Sequence, residues 1–435
     1  MLSAGIFLVL TLLAVLVGGC GQKSAESPSA ASSIDAVETR TLCLADPAAF
    51  TPLDMKIRNL QQQAKALPKK PDVWIQLGRA WVQKARMTAD PGFYLNVEGC
   101  AKETLQIDSH NSAALGLRAL ALMNHHQFKE AQAVAKQILR RSPNDLIALG
   151  IRSDALLELG QFEDAAKTTQ QMIDVRPDMA SYSRASYVCW LQGDAANAKL
   201  LIRHALEGRD IRDPEPAAWT FVQAAILFWN EADYDGADAV FAEALKWVAD
   251  YPVALVGRAR VALSKGQPNR AIEYLEKAYR ISPLAETAWL LGDARTMLGD
   301  FAGAETEYER VIREGRKADR LTLAQFYATK NRAIDEALRL IEEERRVRNN
   351  IYVDDTYAWI IYRTGRIEEA RRASDRALRL GTRDARLLFH AGAIRIAGGD
   401  PKGRKLIQQA LALNPKFDWT GAAEARKLLN SYAKN

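Results

Sequence analysis

The sequence predicts an all-α protein, a solenoid of stacked helix-turn-helix units. Three observations carry this. A small residue returns on a nearly fixed period, at Ala131, Ala165, Ala198, Ala237, Ala271, Ala304, Ala337, Ala370 and Gly403, with gaps of 34, 33, 39, 34, 33, 33, 33 and 33 residues. Such a period is the mark of a supersecondary unit repeated along the chain. Each unit holds two stretches with helical apolar spacing, separated by a turn such as "LELGQF" (Leu157 to Phe162) or "LSKGQP" (Leu263 to Pro268). Gly enters those turns because it adopts a positive φ at little cost, and Pro closes many units, at Pro143, Pro177, Pro252, Pro283 and Pro415.

Composition agrees with that class. Of 435 residues, 48% are apolar and 26% charged, with only 15 Pro, which describes a folded chain longer than one ordinary compact domain. The net charge of +6 is uneven: residues 301–435 hold 27 Lys and Arg against 19 Asp and Glu, so the last third is net +8 and the rest about −2.

The N-terminal segment reads "MLSAGIFLVLTLLAVLVGGCGQKS", and Ile6 to Val17 is a twelve-residue apolar run with Thr11 its one polar residue. Twelve residues fall short of the ~20 that span a bilayer as a helix and suit the core of a secretion signal. Leu16-Val17-Gly18-Gly19-Cys20 resembles the lipobox of bacterial lipoproteins. That resemblance implies a signal peptide over 1–19, removal of which leaves a lipidated Cys20 as the mature N-terminus; an uncleaved anchor is the other reading. It further implies a place in the bacterial cell envelope, facing the periplasm or exterior, and, because Gly21 follows Cys20, the outer membrane where the cell has one. The stretch 20–50 begins rich in Ser, Ala and Gly without apolar period, and reads as a flexible tether.

Residues 51–417 form the body. "FKEAQAVAKQILRRSP" (Phe128 to Pro143) and "FEDAAKTTQQMIDVRP" (Phe162 to Pro177) say nearly the same thing 34 residues apart. Trp74, Leu77, Gly78 and Trp81, and then Leu115, Ala119, Leu122, Phe128, Ala131, Ile138 and Pro143, fit one pattern of large, small and closing residues. This pattern resembles the tetratricopeptide repeat family. The resemblance implies about nine to ten repeats in a right-handed superhelix, with small residues where paired helices cross and large ones in the seams. Longer connections are expected around "MTADPGF" and "EGRDIRDPEPAAW". Since no repeat buries its faces alone, ends need caps, and residues 52–66 and 418–435 supply them.

No enzyme is expected. The five His stand at 110, 125, 126, 204 and 390, without H-E-x-x-H and without Cys pairs at zinc spacing, so neither a metal site nor a cofactor is called for. His125-His126 reads as a solvated turn rather than a metal site. "GGDPKGRK" (Gly398 to Lys405) lacks the ending of a phosphate loop and falls where the repeat needs its turn. "EEERRVR" (Glu342 to Arg348) and "EEARRASDRALR" (Glu368 to Arg379) read as solvated helix faces with intrahelical ion pairs, or as an anion-binding surface. An exported protein gives no reason to expect nucleic acid.

In the tetratricopeptide family the first helix of each pair lines the concave side. Carried onto this chain, that rule gives an inward ladder of Leu120, Asp154, Tyr187, Arg260, Asp293, Gln325 and Trp359, with Trp190 and Tyr362 on or near the same face. Aromatics beside charges suit recognition of a protein partner or an extended peptide; Trp and Tyr at helical spacing also suit a core. The resulting expectation is a membrane-anchored scaffold or adaptor in the envelope, with a carbohydrate or cell-wall ligand-binding protein or enzyme accessory as the alternative. Beyond Cys20, three Cys remain. A bridge between Cys43 and Cys100 would pin the end of the tether to the solenoid, and Cys189, between Val188 and Trp190, suits a buried thiol.

Overall fold

The computed structural model describes residues 39–432, so the signal segment and Cys20 lie outside the described residues. Among these the chain is helical, with twenty-two α-helices from Pro52 onward after a short helical stretch at 39–43, one short 3-10 turn and no strand. A cap helix, α1 (Pro52–Ala66), is followed by ten antiparallel pairs. They are α2 (Pro71–Thr88) with α3 (Tyr94–Ile107), α4 (Ser112–Asn124) with α5 (Phe128–Leu139), α6 (Leu146–Glu158) with α7 (Phe162–Val175), and α8 (Met179–Leu191) with α9 (Ala195–Glu207). Next come α10 (Pro214–Asn230) with α11 (Tyr234–Trp247), α12 (Pro252–Ser264) with α13 (Pro268–Ile281), and α14 (Ala285–Met297) with α15 (Phe301–Ala318). The last three are α16 (Arg320–Lys330) with α17 (Ile334–Glu344), α18 (Ile351–Arg363) with α19 (Ile367–Ala377), and α20 (Ala385–Ala397) with α21 (Lys402–Leu413), before the closing helix α22 (Trp419–Tyr432).

Many of the helices start where the sequence supplies a cap. Asn111, Asp145, Asp178, Asp194, Asp233, Asp300, Asp319, Asn350 and Asp384 each accept a hydrogen bond from a backbone N–H of the first turn. Each such cap contributes about 1 kcal/mol. The recurring small residue sits at the crossing within each pair: Ala131, Ala165, Ala198, Ala237, Ala271, Ala337 and Ala370 are fully buried. In the last pair the approach is closer still, since a Cβ on Gly403 would lie 2.4 Å from the Gly392 carbonyl oxygen. Large residues fill the seams.

One boundary differs from the sequence reading. Residues 39–50 are not free tether: residues 39–43 are helical, and Cys43, fully buried, is joined to Cys100 by a disulfide with its Cα atoms 5.0 Å apart. Trp81 Nε1 donates to the Cys43 carbonyl at 3.0 Å, Asn96 Nδ2 to that of Leu42 at 2.7 Å, and Gln61 Nε2 to that of Ala45 at 2.7 Å. These donors satisfy a backbone that would otherwise need water, so the segment docks.

The stack also winds back onto itself. Asn349 N donates to the Glu158 carbonyl at 2.8 Å, Thr382 Oγ1 to that of Leu191 at 2.5 Å, Ser282 Oγ to that of Ala89 at 2.8 Å, and Asn414 Nδ2 to that of Trp229 at 2.8 Å. The last three contacts join residues 191, 193 and 185 positions apart, between five and six repeat units, so one turn of the superhelix touches the next. Ile351 and Leu387 of the later turn enter one apolar cluster with Leu156, Leu157 and Leu191 of the earlier one.

Of two turn glycines with positive φ, one sits in this contact and one does not. Gly193 has φ +76°, and a Cβ there would lie 2.3 Å from the Gly381 carbonyl oxygen; Gly299, at φ +78°, faces open space. Gly299→Ala should therefore cost only the left-handed strain, about 1–2 kcal/mol. Gly193→Ala should cost a further ~1–3 kcal/mol, because a backbone carbonyl must move. Denaturant melts of the two variants, read by circular dichroism, check the difference; equal losses would mean the turns do not bear on each other at Gly193.

Candidate functional site

Winding the stack into touching turns encloses a cavity of about 340 Å³ on its axis. The first helices of the pairs face it, from α8 through α10, α12, α14 and α16, with the N-terminal ends of α18, α20 and α22 closing the far side. Five of the inward residues expected from sequence meet there: Tyr187, Trp190, Arg260, Asp293 and Gln325. Trp190 is 5% exposed, and its Nε1 donates to the Tyr352 hydroxyl at 3.3 Å, across the two turns. Burial raises the Tyr187 hydroxyl well above the ordinary phenol range, so it stays protonated. Arg260 is ion-paired with Glu286, and its guanidinium lies 5.9 Å over the Trp229 ring. Burial, then the positive charge of Arg386, pushes the Arg260 pKa down to about 10, which leaves it a cation at neutral pH. Asp293 accepts from the Tyr308 hydroxyl at 2.8 Å and from Lys330 Nζ at 2.6 Å, and Gln325 Nε2 donates to Thr356 Oγ1 at 2.9 Å.

Three expected site residues do not line this cavity. Asp154 is 6% exposed and accepts from Arg184 Nε at 2.9 Å and NH2 at 2.7 Å, a buried fork holding α6 to α8; burial raises its carboxyl to about 6 although the Arg184 charge opposes the rise. Trp359 is 2% exposed, stacked on His390 with ring centroids 4.0 Å apart, and Tyr362 stacks on it at 4.9 Å. Both belong to the seam between α18 and α20, because His390 projects between the helices where an open concave face would have left room. Leu120, from the same ladder, is core at 3% exposure.

Two surface readings also change. His126 is 6% exposed, stacked on Phe128 and 3.5 Å from Glu344, rather than solvated. Glu344 and Arg348, read as part of a solvated face, are 1% and 3% exposed and ion-paired at 2.5 Å, where Arg348 also lies 3.6 Å from Glu158. Arg371, by contrast, is exposed and paired within its helix to Glu368 at 3.0 Å. Cys189 is half-buried, and burial raises its thiol pKa.

The sequence reading missed Glu286, Trp289, Tyr352, Arg386, Phe417 and Asp418 of the cavity wall. Trp289 stands four positions before Asp293 on α14, one helical turn away, and was legible from that spacing. Arg386 and Asp418 stand at helix starts and reach the axis only because the turns close. Among the described residues no cluster of His, Cys, Asp or Glu holds metal-ligand geometry, and no helix is long and apolar enough to cross a membrane.

Fold and site together define an α-helical repeat solenoid wound around a central cavity. Models of the tetratricopeptide repeat match residues 117–183, 222–286 and 262–325. No curated protein matches the chain. Among solved structures it is similar to PilW, a widely conserved type IV pilus biogenesis factor, at 18% identity over 45% of this chain and 90% of that one, with a TM-score of 0.39. A tetratricopeptide repeat protein from Parabacteroides merdae gives 18% identity over 55% and 93%, TM-score 0.39. Human IFIT1 in complex with m7Gppp-AAAA gives 12% over 87% and 94%, TM-score 0.47. At these identities and scores the likeness carries no functional weight.

Proposed function

We propose that the protein is a lipid-anchored scaffold of the bacterial cell envelope that takes hold of a protein partner through its inner face. The observation that carries the recognition half is convergence: Tyr187 and Trp190 from α8, Arg260 from α12, Asp293 from α14 and Gln325 from α16 meet at one cavity. Aromatic and Arg side chains at a concave, desolvated centre are where binding energy concentrates. Because the next turn closes over this face, it suits a short projecting element of a partner rather than a peptide threaded along an open groove. A photo-crosslinking residue at Gln325 should capture that partner in native cells, and one at Lys167, whose side chain is 80% exposed on the outer helix α7, should not. Equal capture at both positions would remove the inner face from the reading.

The anchoring half rests on Leu16 to Cys20 and the Ser-rich stretch after it. Cys20→Ser should move the protein from the membrane to the soluble fraction, since each buried lipid methylene contributes ~0.8 kcal/mol to attachment. If the variant stays with membranes through a high-salt wash, the anchor is not lipid on Cys20. The compactness of the cavity, together with its Trp and Tyr walls, also favours a second reading as a carbohydrate or cell-wall ligand-binding protein, which retention on glycan columns would support.

A further inference from the structure

The cavity wall holds donors without an acceptor, whereas each of its carboxylates already has a donor. Its carboxylates are already engaged: Asp293 by Tyr308 and Lys330, Asp384 by the backbone N–H of Arg386 at 2.8 Å, and Asp418 by that of Gly421 at 2.5 Å. Glu158 accepts from Asn350 Nδ2 at 2.8 Å, and Glu286 is taken by Arg260. Burial further raises the pKa of Asp418 and of Glu158, which weakens their claim on a negative charge. On the donor side, Trp289 Nε1 and Arg386 Nε are buried and donate to no acceptor. The nearest carboxylate to Arg386, Asp355, lies 3.8 Å away, and both its oxygens are held at 3.0 Å by His390. Arg260 and Arg386 are each about one third exposed, and both line the cavity. A donor left without a partner costs about 1–3 kcal/mol, and the Arg386 guanidinium, partly exposed on the cavity, is the donor group that an entering acceptor can reach.

We propose that the cavity binds a small organic anion, its carboxylate between Arg260 and Arg386, and its flat apolar body along Trp229, Leu290 and Phe417. The proposal rests on the inner face being the recognition surface and names the chemistry it accepts. The volume of about 340 Å³ lies at the small end of the range for small-molecule sites, ~300–1,000 Å³, so a compact ligand fits. A guanidinium fork is the group that matches a carboxylate with two parallel hydrogen bonds. The Trp and Phe surfaces supply the apolar wall such sites use for most of their contact.

The test is calorimetric titration of the detergent-solubilised full chain with 1-naphthoate and its neutral isostere 1-naphthamide, each corrected against empty micelles. Binding of 1-naphthoate at one per chain, at least tenfold tighter than 1-naphthamide, is expected. Arg386→Gln should bring 1-naphthoate to the level of the amide while leaving the amide unchanged. Should Arg386→Gln fail to fold, Arg386→Lys, which keeps the charge but loses the fork, is expected to lose most of the preference with a normal circular dichroism melt. Equal affinity for the two probes, no binding of either at millimolar concentration, or a preference that survives in both Arg386→Gln and Arg260→Gln would overturn the proposal. Partner capture at Gln325 without any anion preference removes only this inference. An anion preference without a captured partner removes only the scaffold.

Discussion

Replacing Trp359 by Ala is expected to cost about 3–5 kcal/mol of stability, because it empties the seam between α18 and α20 rather than trimming a binding surface. The indole is 2% exposed and stacked on His390, whose Nδ1 is fixed 3.0 Å from both Asp355 oxygens, so the wall on that side cannot collapse to fill the space. On other sides lie Tyr362, Phe389 with centroids 5.3 Å apart, and the Arg363 guanidinium 4.4 Å from the ring centroid. Trp359→Phe keeps a ring in the stack and should recover most of the loss. Denaturant midpoints of the three proteins decide it. If Trp359→Ala melts like the parent, the residue belongs to an open face after all.

Glu344→Gln should be comparably severe, about 3–5 kcal/mol, since it removes the carboxylate nearest the buried Arg348 and leaves it only Glu158 at 3.6 Å. Glu344 ends α17 with 1% exposure and faces Arg348 at 2.5 Å, His126 at 3.5 Å and Arg320 at 3.7 Å. Burial alone would raise its pKa. The Arg348 charge, with His126 and Arg320, outweighs burial and holds the carboxyl down at about 2, from an ordinary 4.5. A carboxylate whose folded pKa is depressed contributes its stability fully above the unfolded value and loses it as pH falls toward the folded one. The gap in stability between the parent and Glu344→Gln should accordingly be full above about pH 4.5 and close between there and about pH 2. A gap that stayed constant down to pH 2 would mean the carboxylate charge is not what the cluster uses.

The repeat itself was legible because one physical requirement recurs: two helices crossing closely admit only a small residue, and Ala131 through Gly403 keep that requirement on schedule. The capping helices followed from the same reasoning, since an array must end. The candidate site was half legible. Register within a repeat tells which side of a helix faces the axis, and so it found Tyr187, Trp190, Arg260, Asp293 and Gln325. It says nothing of what stands opposite. Arg386 and Asp418 reach the cavity, and His390 covers Trp359, through contacts between units far apart in sequence, which a 33-residue period does not encode. Glu344 and Arg348 misled for the same reason, because Glu and Arg four apart look solvated until another turn lands on them.

The contacts between Glu158 and Asn349, Leu191 and Thr382, and Trp229 and Asn414 also change how the chain should fold. An open repeat array behaves as a one-dimensional Ising chain: units melt from the ends, and terminal ones can be deleted at a local cost. Here the bonds that close one turn onto the next raise the contact order, and loop-closure entropy must be met before they form. Deleting α20 to α22 would take away not only the last units but also the floor under the repeats carrying Leu191 and Trp229, far away in sequence. Unfolding should then be cooperative across the array instead of fraying unit by unit, and hydrogen exchange should slow in the middle repeats and in those that close over them alike.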